Sequence, residues 1–136
     1  MVVQIETQPD SLYERVGGQP FFDALVSDFY QGVAQDGLLR PLYPEDLGPP
    51  ARHLALFLAQ YWGGPRTYSD ERGHPRLRMR HVPFKIGPAE RDAWLAHMQA
   101  AVAASAASEA DKSALSSYFA SAATSLINQP FFAPAT

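Results

Sequence analysis

The segment PFFDALVSDFYQGVAQ, residues 20–35, can bury a single continuous face only as a helix. Phe22, Leu25, Val26, Phe29 and Val33 recur at three- and four-residue spacing, and Pro20 stands where a helix begins without needing an N–H. Tyr30 lies four residues beyond Val26, at the edge of that face. On the N-terminal side, Ser11 to Val16 forms a short helix stopped by Gly17 and Gly18. On the C-terminal side, residues 37–43 suit a short helical turn before Pro44. Pro49 and Pro50 open the next helix, which has Leu54, Phe57, Leu58 and Tyr61 as its buried stripe and Gly63-Gly64-Pro65 as its stop. Pro88 opens another, with Trp94, Met98, Ala101 and Val102 on its inner face. Ser108 and Asp111 make a capping box for the last helix, whose stripe is Leu115, Tyr118, Phe119, Ala122 and Leu126. No segment alternates as a strand. The expected fold is all-α with about five helices around one core.

Between the central helices, residues 66–87 carry Gly73, Pro75 and Pro83 and read as a long loop with one turn at Leu77 to His81. Arg66, Arg72, Arg76, Arg78, Arg80 and Lys85, six of the eleven basic residues, fall there. They form either a solvated basic loop or a local site for an acidic ligand. The net charge of −3 argues against nucleic acid as the main partner. With 136 residues, the chain has room for one domain, expected over 11–128 between tails at 1–10 and 129–136. No run of eighteen uncharged apolar residues offers a membrane span, and MVVQIETQPD lacks the pattern of a secretion signal, so the expected address is the cytoplasm. The absence of cysteine excludes disulfides, thiolate metal sites, iron–sulfur clusters and covalent haem attachment.

The chemistry-bearing residues are few. Histidines stand at 53, 74, 81 and 97, without HExxH or another compact zinc spacing. No GxSxG, GxxxxGK[ST] or GxGxxG occurs, and the carboxylate pairs Glu45-Asp46 and Asp70-Glu71 lie in polar turns. His81 differs from the other histidines. LRMRHVPF, residues 77–84, sets it among apolar side chains with arginines at 76, 78 and 80, the mixture that a haem iron and two propionates require. By spacing alone this signal is weak. Tyr30, Tyr43 and Trp94 each carry a polar hydrogen that needs a partner if buried.

Taken together, LYERVGGQPFFDALVSDFY (12–30), LRPLYPEDL (39–47), FLAQYWGGPRTYSDERGHPRLRMRHVPF (57–84) and ERDAWLAHM (90–98) resemble the truncated haemoglobins, specifically their group II. The resemblance spans about residues 11 to 128. It implies a two-over-two helical sandwich, a truncated globin-like fold, pairing 20–35 with 50–62 and 88–106 with 109–128. It also implies non-covalent haem b, with His81 as the proximal iron ligand. Tyr30, Tyr43 and Trp94 correspond to the distal hydrogen-bonding residues, and Leu54 and Phe57 to apolar residues over the haem face. Arg80 and Tyr61 correspond to positions reaching the propionates. Leu77 and Met98 complete the expected haem contacts. Two positions depart from the family pattern. Pro50 stands where a small residue usually faces the ligand, and His53 replaces a propionate-binding arginine.

The implied function is binding of oxygen, nitric oxide or carbon monoxide at a pentacoordinate haem iron. That binding would be coupled to redox chemistry, either nitric oxide dioxygenation or peroxidase-like turnover, with a reductase as partner. The alternatives are a reversible oxygen store, carrier or sensor, and an empty helical interaction module on the same scaffold. Family habit further suggests a homodimer.

Overall fold

A computed structural model describes residues 10–128. The expected tails at 1–10 and 129–136 lie outside those residues, apart from Asp10. Seven α-helices and one 3-10 turn are formed, with no strand among the described residues. Helix α1 is Leu12–Val16, α2 is Gln19–Ala34, and the turn is Arg40–Leu42. Next come α3 at Gly48–Tyr61, α4 at Thr67–Arg72 and α5 at Leu77–His81. The long pair α6 and α7 covers Pro88–Ala104 and Glu109–Ser125. Among these, no helix is long and apolar enough to cross a membrane.

The long helices pack as two pairs, α2 on α3 and α6 on α7, and α2 also packs on α6. This is the two-over-two sandwich. Phe22, Leu25, Phe29 and Val33 of α2 meet Leu58, Met98, Val102, Leu115 and Phe119 in one core, all almost wholly removed from water. Each such side chain contributes roughly 1.5–3 kcal/mol by burial.

Local chemistry sets the ends. Ser11 Oγ accepts the Glu14 N–H at 3.2 Å, and Gly17 closes α1 at φ +96°. Ser108 Oγ likewise accepts the Asp111 N–H at 3.2 Å. Only half of the expected capping box forms, because the Asp111 carboxylate turns away to Arg15, 2.9 Å distant. That ion pair, with the Tyr13 N–H on the Trp62 carbonyl at 3.0 Å, fastens α1 across the ends of α3 and α7.

Two expectations are corrected. The buried stripe of α3 is Ala55, Leu58 and Ala59, whereas Tyr61 is 54% exposed. Leu54 and Phe57 are only half-buried because they face a cavity instead of packed side chains. Residues 67–72 are helical where a loop was expected. That helix has no apolar period; Tyr68 is its one buried side chain. It is held by polar pairing instead, with Gln60 Nε2 donating to Ser69 Oγ at 2.7 Å and the Ser69 N–H to Gln60 Oε1 at 2.9 Å.

The turn after α3 depends on a close approach at Gly64. A Cβ there would lie 2.6 Å from the Tyr13 ring and 2.7 Å from the Ala59 carbonyl oxygen. The carbonyl belongs to the helix and has little freedom to retreat. Gly64→Ala is therefore expected to cost about 1–3 kcal/mol, the usual range for overpacking. Chemical denaturation with an unchanged midpoint would show that the turn relaxes freely.

Candidate functional site

A cavity of about 380 Å³ lies between the helix pairs, within the size range of small-molecule sites. Its walls come from α2, the 3-10 turn, α3, the 66–87 segment, α6 and α7. His81, Arg80, Leu77, His53, Leu54, Phe57, Tyr30, Tyr43 and Trp94 all line it.

His81 ends α5, a helix too short to hold itself. Polar contacts to backbone carbonyls fasten it from several directions. Arg80 donates to Pro75 and Arg72 at 2.8 and 3.2 Å, and Arg78 donates to Ser125 at 3.1 Å. Asn128 donates to His81 and Phe84 at 3.2 and 2.7 Å. The ring itself is oriented by a 2.6 Å contact between Nδ1 and the Leu77 carbonyl. A carbonyl only accepts, so Nδ1 carries a proton, and in the neutral ring Nε2 is the nitrogen that holds the lone pair. Metal-ligating histidines are commonly oriented by such a second hydrogen bond.

Tyr30, Tyr43 and Trp94 come from α2, the residue after the 3-10 turn, and α6. The Tyr30 and Tyr43 rings meet edge-on at 5.4 Å, and Phe29 bridges Tyr30 and Trp94 at 5.0 and 5.2 Å. Burial holds the Tyr30 phenol well above its ordinary range, reinforced by Tyr43. Burial also raises the Tyr43 phenol, against hydrogen bonds from Trp94 and Tyr30 that lower it.

The His53 side is cationic. Arg72 Nη1 donates to His53 Nε2 at 3.2 Å, and Arg52 forks onto the Glu71 carboxylate at 2.7 and 3.0 Å. Burial, then Arg72, Arg52 and Arg80, depress the His53 imidazole, so that it acts as a neutral acceptor beside a permanent cation. Arg72 supplies the charge that the sequence assigned to this wall through Arg80 and His53. It was visible only as one of six clustered cations.

Two expected contacts do not line the cavity. Met98, one helical turn beyond Trp94, is fully buried in the packed core. Tyr61 is turned to the surface against Tyr118, with ring centroids 4.3 Å apart. Conversely, Tyr68 and Tyr118 line the cavity although sequence reasoning gave neither a site role. Tyr68 belongs to the aperiodic α4. Tyr118 shared a stripe with core residues, and spacing alone does not separate a cavity wall from a core.

These residues fit a haem. The walls are mainly apolar, and a single imidazole offers a lone pair. Among the described residues, no three His, Cys, Asp or Glu side chains cluster to hold a bare metal ion. A metal bound through His81 must therefore bring most of its other ligands with it, as a porphyrin iron does. Arg72 and Arg80 supply cations for carboxylates at the edge.

Comparison with known proteins gives the same reading. The sequence profile of the bacterial-like globin family matches residues 11–128. The chain is 47% identical over 90 residues to the group 2 truncated hemoglobin YjbI of Bacillus subtilis, covering 66% of this chain and 67% of that relative. The crystal structure of a thermostable hemoglobin from Thermobifida fusca is similar at 55% identity and a TM-score of 0.86, covering 88% of this chain and 98% of that one. Hemoglobin from Chloroflexus aurantiacus gives 52% identity and a TM-score of 0.86, covering 90% and 100%.

The cation setting of His53 has a measurable consequence. A lowered imidazole pKa means that the fold favours the neutral ring. That contribution to stability is complete above the unfolded value and is lost as pH falls through the folded midpoint. NMR titration of the haem-free protein should place the His53 midpoint below 6.5, and Arg72→Ala should move it upward. A midpoint at or above 6.5 would contradict this electrostatic picture.

Proposed function

The chain belongs to the bacterial-like globin family as a group II truncated haemoglobin, and from that premise we propose that His81 anchors the iron of a non-covalent haem b in the cavity, with Tyr30, Tyr43 and Trp94 controlling a diatomic ligand. The observation that carries the reading is the pairing, in one apolar cavity, of a carbonyl-oriented imidazole with the Tyr30 and Tyr43 phenols and the Trp94 indole. When bound, the haem supplies an iron atom that takes oxygen, nitric oxide or carbon monoxide and shifts electron density onto oxygen.

The chain's own residues then do three things. His81, held by Leu77, presents Nε2 in a fixed direction. Arg72 and Arg80, both on the cavity wall, would pair with the carboxylates of the bound cofactor. Tyr30, Tyr43 and Trp94 each bring a polar hydrogen to the cavity wall, and the raised phenol pKa values keep the Tyr30 and Tyr43 protons in place through the physiological pH range. A hydrogen bond to a charged partner is worth about 1.5–3 kcal/mol, so two acting together slow ligand release by roughly a hundredfold or more. Slow release with donors in place favours chemistry on the ligand over carriage. We assign either nitric oxide dioxygenation to nitrate or peroxidase-like turnover, with an external reductase returning the iron to its starting state.

Haem titration with optical spectra tests the anchor. His81→Ala should lose haem retention or change its axial ligation, and an unaltered Soret band would remove His81 from the assignment. Trp94→Phe deletes one donor and keeps an apolar ring. It should speed oxygen release about tenfold, the equivalent of some 1.4 kcal/mol. Fast release from the parent, unchanged in this variant, would instead favour a reversible oxygen store, carrier or sensor.

A further inference from the structure

On its outer face, the His81 segment holds apolar side chains in water. Among the described residues, five large apolar side chains are exposed, and three of them, Met79, Val82 and Phe84, fall within six positions. Met79 and Val82, at 64% and 71%, are the most open of the five, and their three-residue spacing puts them on one side of α5 and its end. Arg76, Arg78 and Lys85 are exposed around them, and none of these three cations lines the cavity. From residue 72 to residue 89 the chain carries five Arg and Lys and no acid, whereas the rest carries six basic and fourteen acidic residues. The acids that flank this stretch are already engaged. Glu71 takes the fork of Arg52 at 2.7 and 3.0 Å, and Glu90 accepts the Gly87 N–H at 2.7 Å. The patch therefore keeps a positive field on a chain whose net charge is −3.

We propose that this face is the docking surface for an acidic electron-transfer protein that returns the iron to its ferrous state. The proposal rests on the redox reading above, which needs an external reductase, and adds where that partner docks and what charge its surface carries. Cations around a small apolar centre complement an acidic rim, and such complementarity chiefly raises the rate of encounter. A few exposed apolar side chains suit the small interface of a transient electron-transfer pair better than a permanent assembly. Position favours the same occupant. Phe84 is 40% exposed and also lines the cavity, its ring 6.4 Å from that of His81, so one side chain spans from the patch to the cavity. A second copy of this chain would set like charges against each other. The five-residue α5 offers no amphipathic helix to lie on a membrane. The step balances simply: the donor loses one electron, ferric iron gains it, and no bond forms or breaks.

The test uses the haem-loaded full chain in its ferric form, with reduced flavodoxin as the acidic donor and dithionite as a small donor that needs no docking. Stopped-flow reduction by flavodoxin should slow about tenfold or more as salt rises from low concentration to about 0.3 M. Arg76→Glu combined with Lys85→Glu should slow it by a similar factor at low salt, whereas Arg76→Lys combined with Lys85→Arg should not. Neither side chain takes part in the hydrogen bonds that hold α5, so the charge-reversed chain should keep the parent's optical spectrum and still be reduced fully by dithionite. Titration calorimetry should show weaker binding of oxidised flavodoxin to that chain, and also to Met79→Gln combined with Val82→Ser. Flavodoxin reduction that ignores both salt and charge reversal would overturn the proposal and leave the redox reading with a reductase docked elsewhere. Capture by phosphatidylglycerol vesicles without binding to flavodoxin would overturn it in favour of a membrane surface. A parent reduced by dithionite but by no protein donor would end both readings.

Discussion

The hydrogen bond between His81 Nδ1 and the Leu77 carbonyl, at 2.6 Å, is the contact on which the site's chemistry depends. It selects the tautomer of the neutral ring in which Nε2 holds the lone pair, and it sets the plane of the ring. Because the two residues are one helical turn apart, it exists only while the five-residue α5 exists. A helix of that length is unstable alone. The surrounding arginines and Asn128 therefore have a structural task, donating to carbonyls of Pro75, Arg72, Ser125, His81 and Phe84. Within the basic cluster, Arg78 and Arg80 hold the His81 segment in place, and Arg72 and Arg80 also line the cavity.

The cavity wall of Tyr30, Tyr43 and Trp94 is built by a different principle. Tyr30 and Trp94 sit on long helices whose apolar faces are locked in the core, so their positions follow from packing around Phe29. Tyr43 lies beyond a 3-10 turn and needs separate support. Asp36 gives it, accepting the N–H groups of Leu38 and Leu39 at 2.9 and 3.2 Å and contacting His97 Nε2 at 2.7 Å. This links the end of α2, the approach to Tyr43 and α6. Gly32 permits the arrangement, since a Cβ there would fall 2.4 Å from His97 Nδ1. His97 thus helps to place Tyr43 beside Tyr30 and Trp94.

The long helices were legible because periodic burial leaves a periodic trace: Phe22 to Val33 read directly as the face that α2 buries. The stop at Gly17 and the cap at Ser108 were legible for the same local reason, whereas Ser11 caps the first helix instead of belonging to it. What failed was whatever depends on a neighbour. Helix α4 is held by Gln60 and Ser69 across a turn and shows no apolar stripe. Asp111 chose Arg15, nearly a hundred residues away, over its own cap. Tyr61 and Met98 had suitable residue types at plausible spacing, yet one faces solvent and the other packed core. The site residues His81, Tyr30, Tyr43 and Trp94 stood out through family resemblance, because their separation along the chain carries almost no signal of a shared cavity.

The cavity persists because the core is completed without it. Phe22, Leu25, Met98, Val102 and Leu115 close the contact among the helix pairs on one side, and none of them lines the cavity. Leu54 and Phe57 on α3 are left half-buried, with apolar surface facing the open volume. Withdrawing that surface from water would be favourable, so a flat apolar ligand adds to stability as it binds. The same exposed surface explains why the proximal segment is secured by polar contacts. Apolar packing strong enough to hold α5 against α3 without a ligand would have filled the space that the ligand needs.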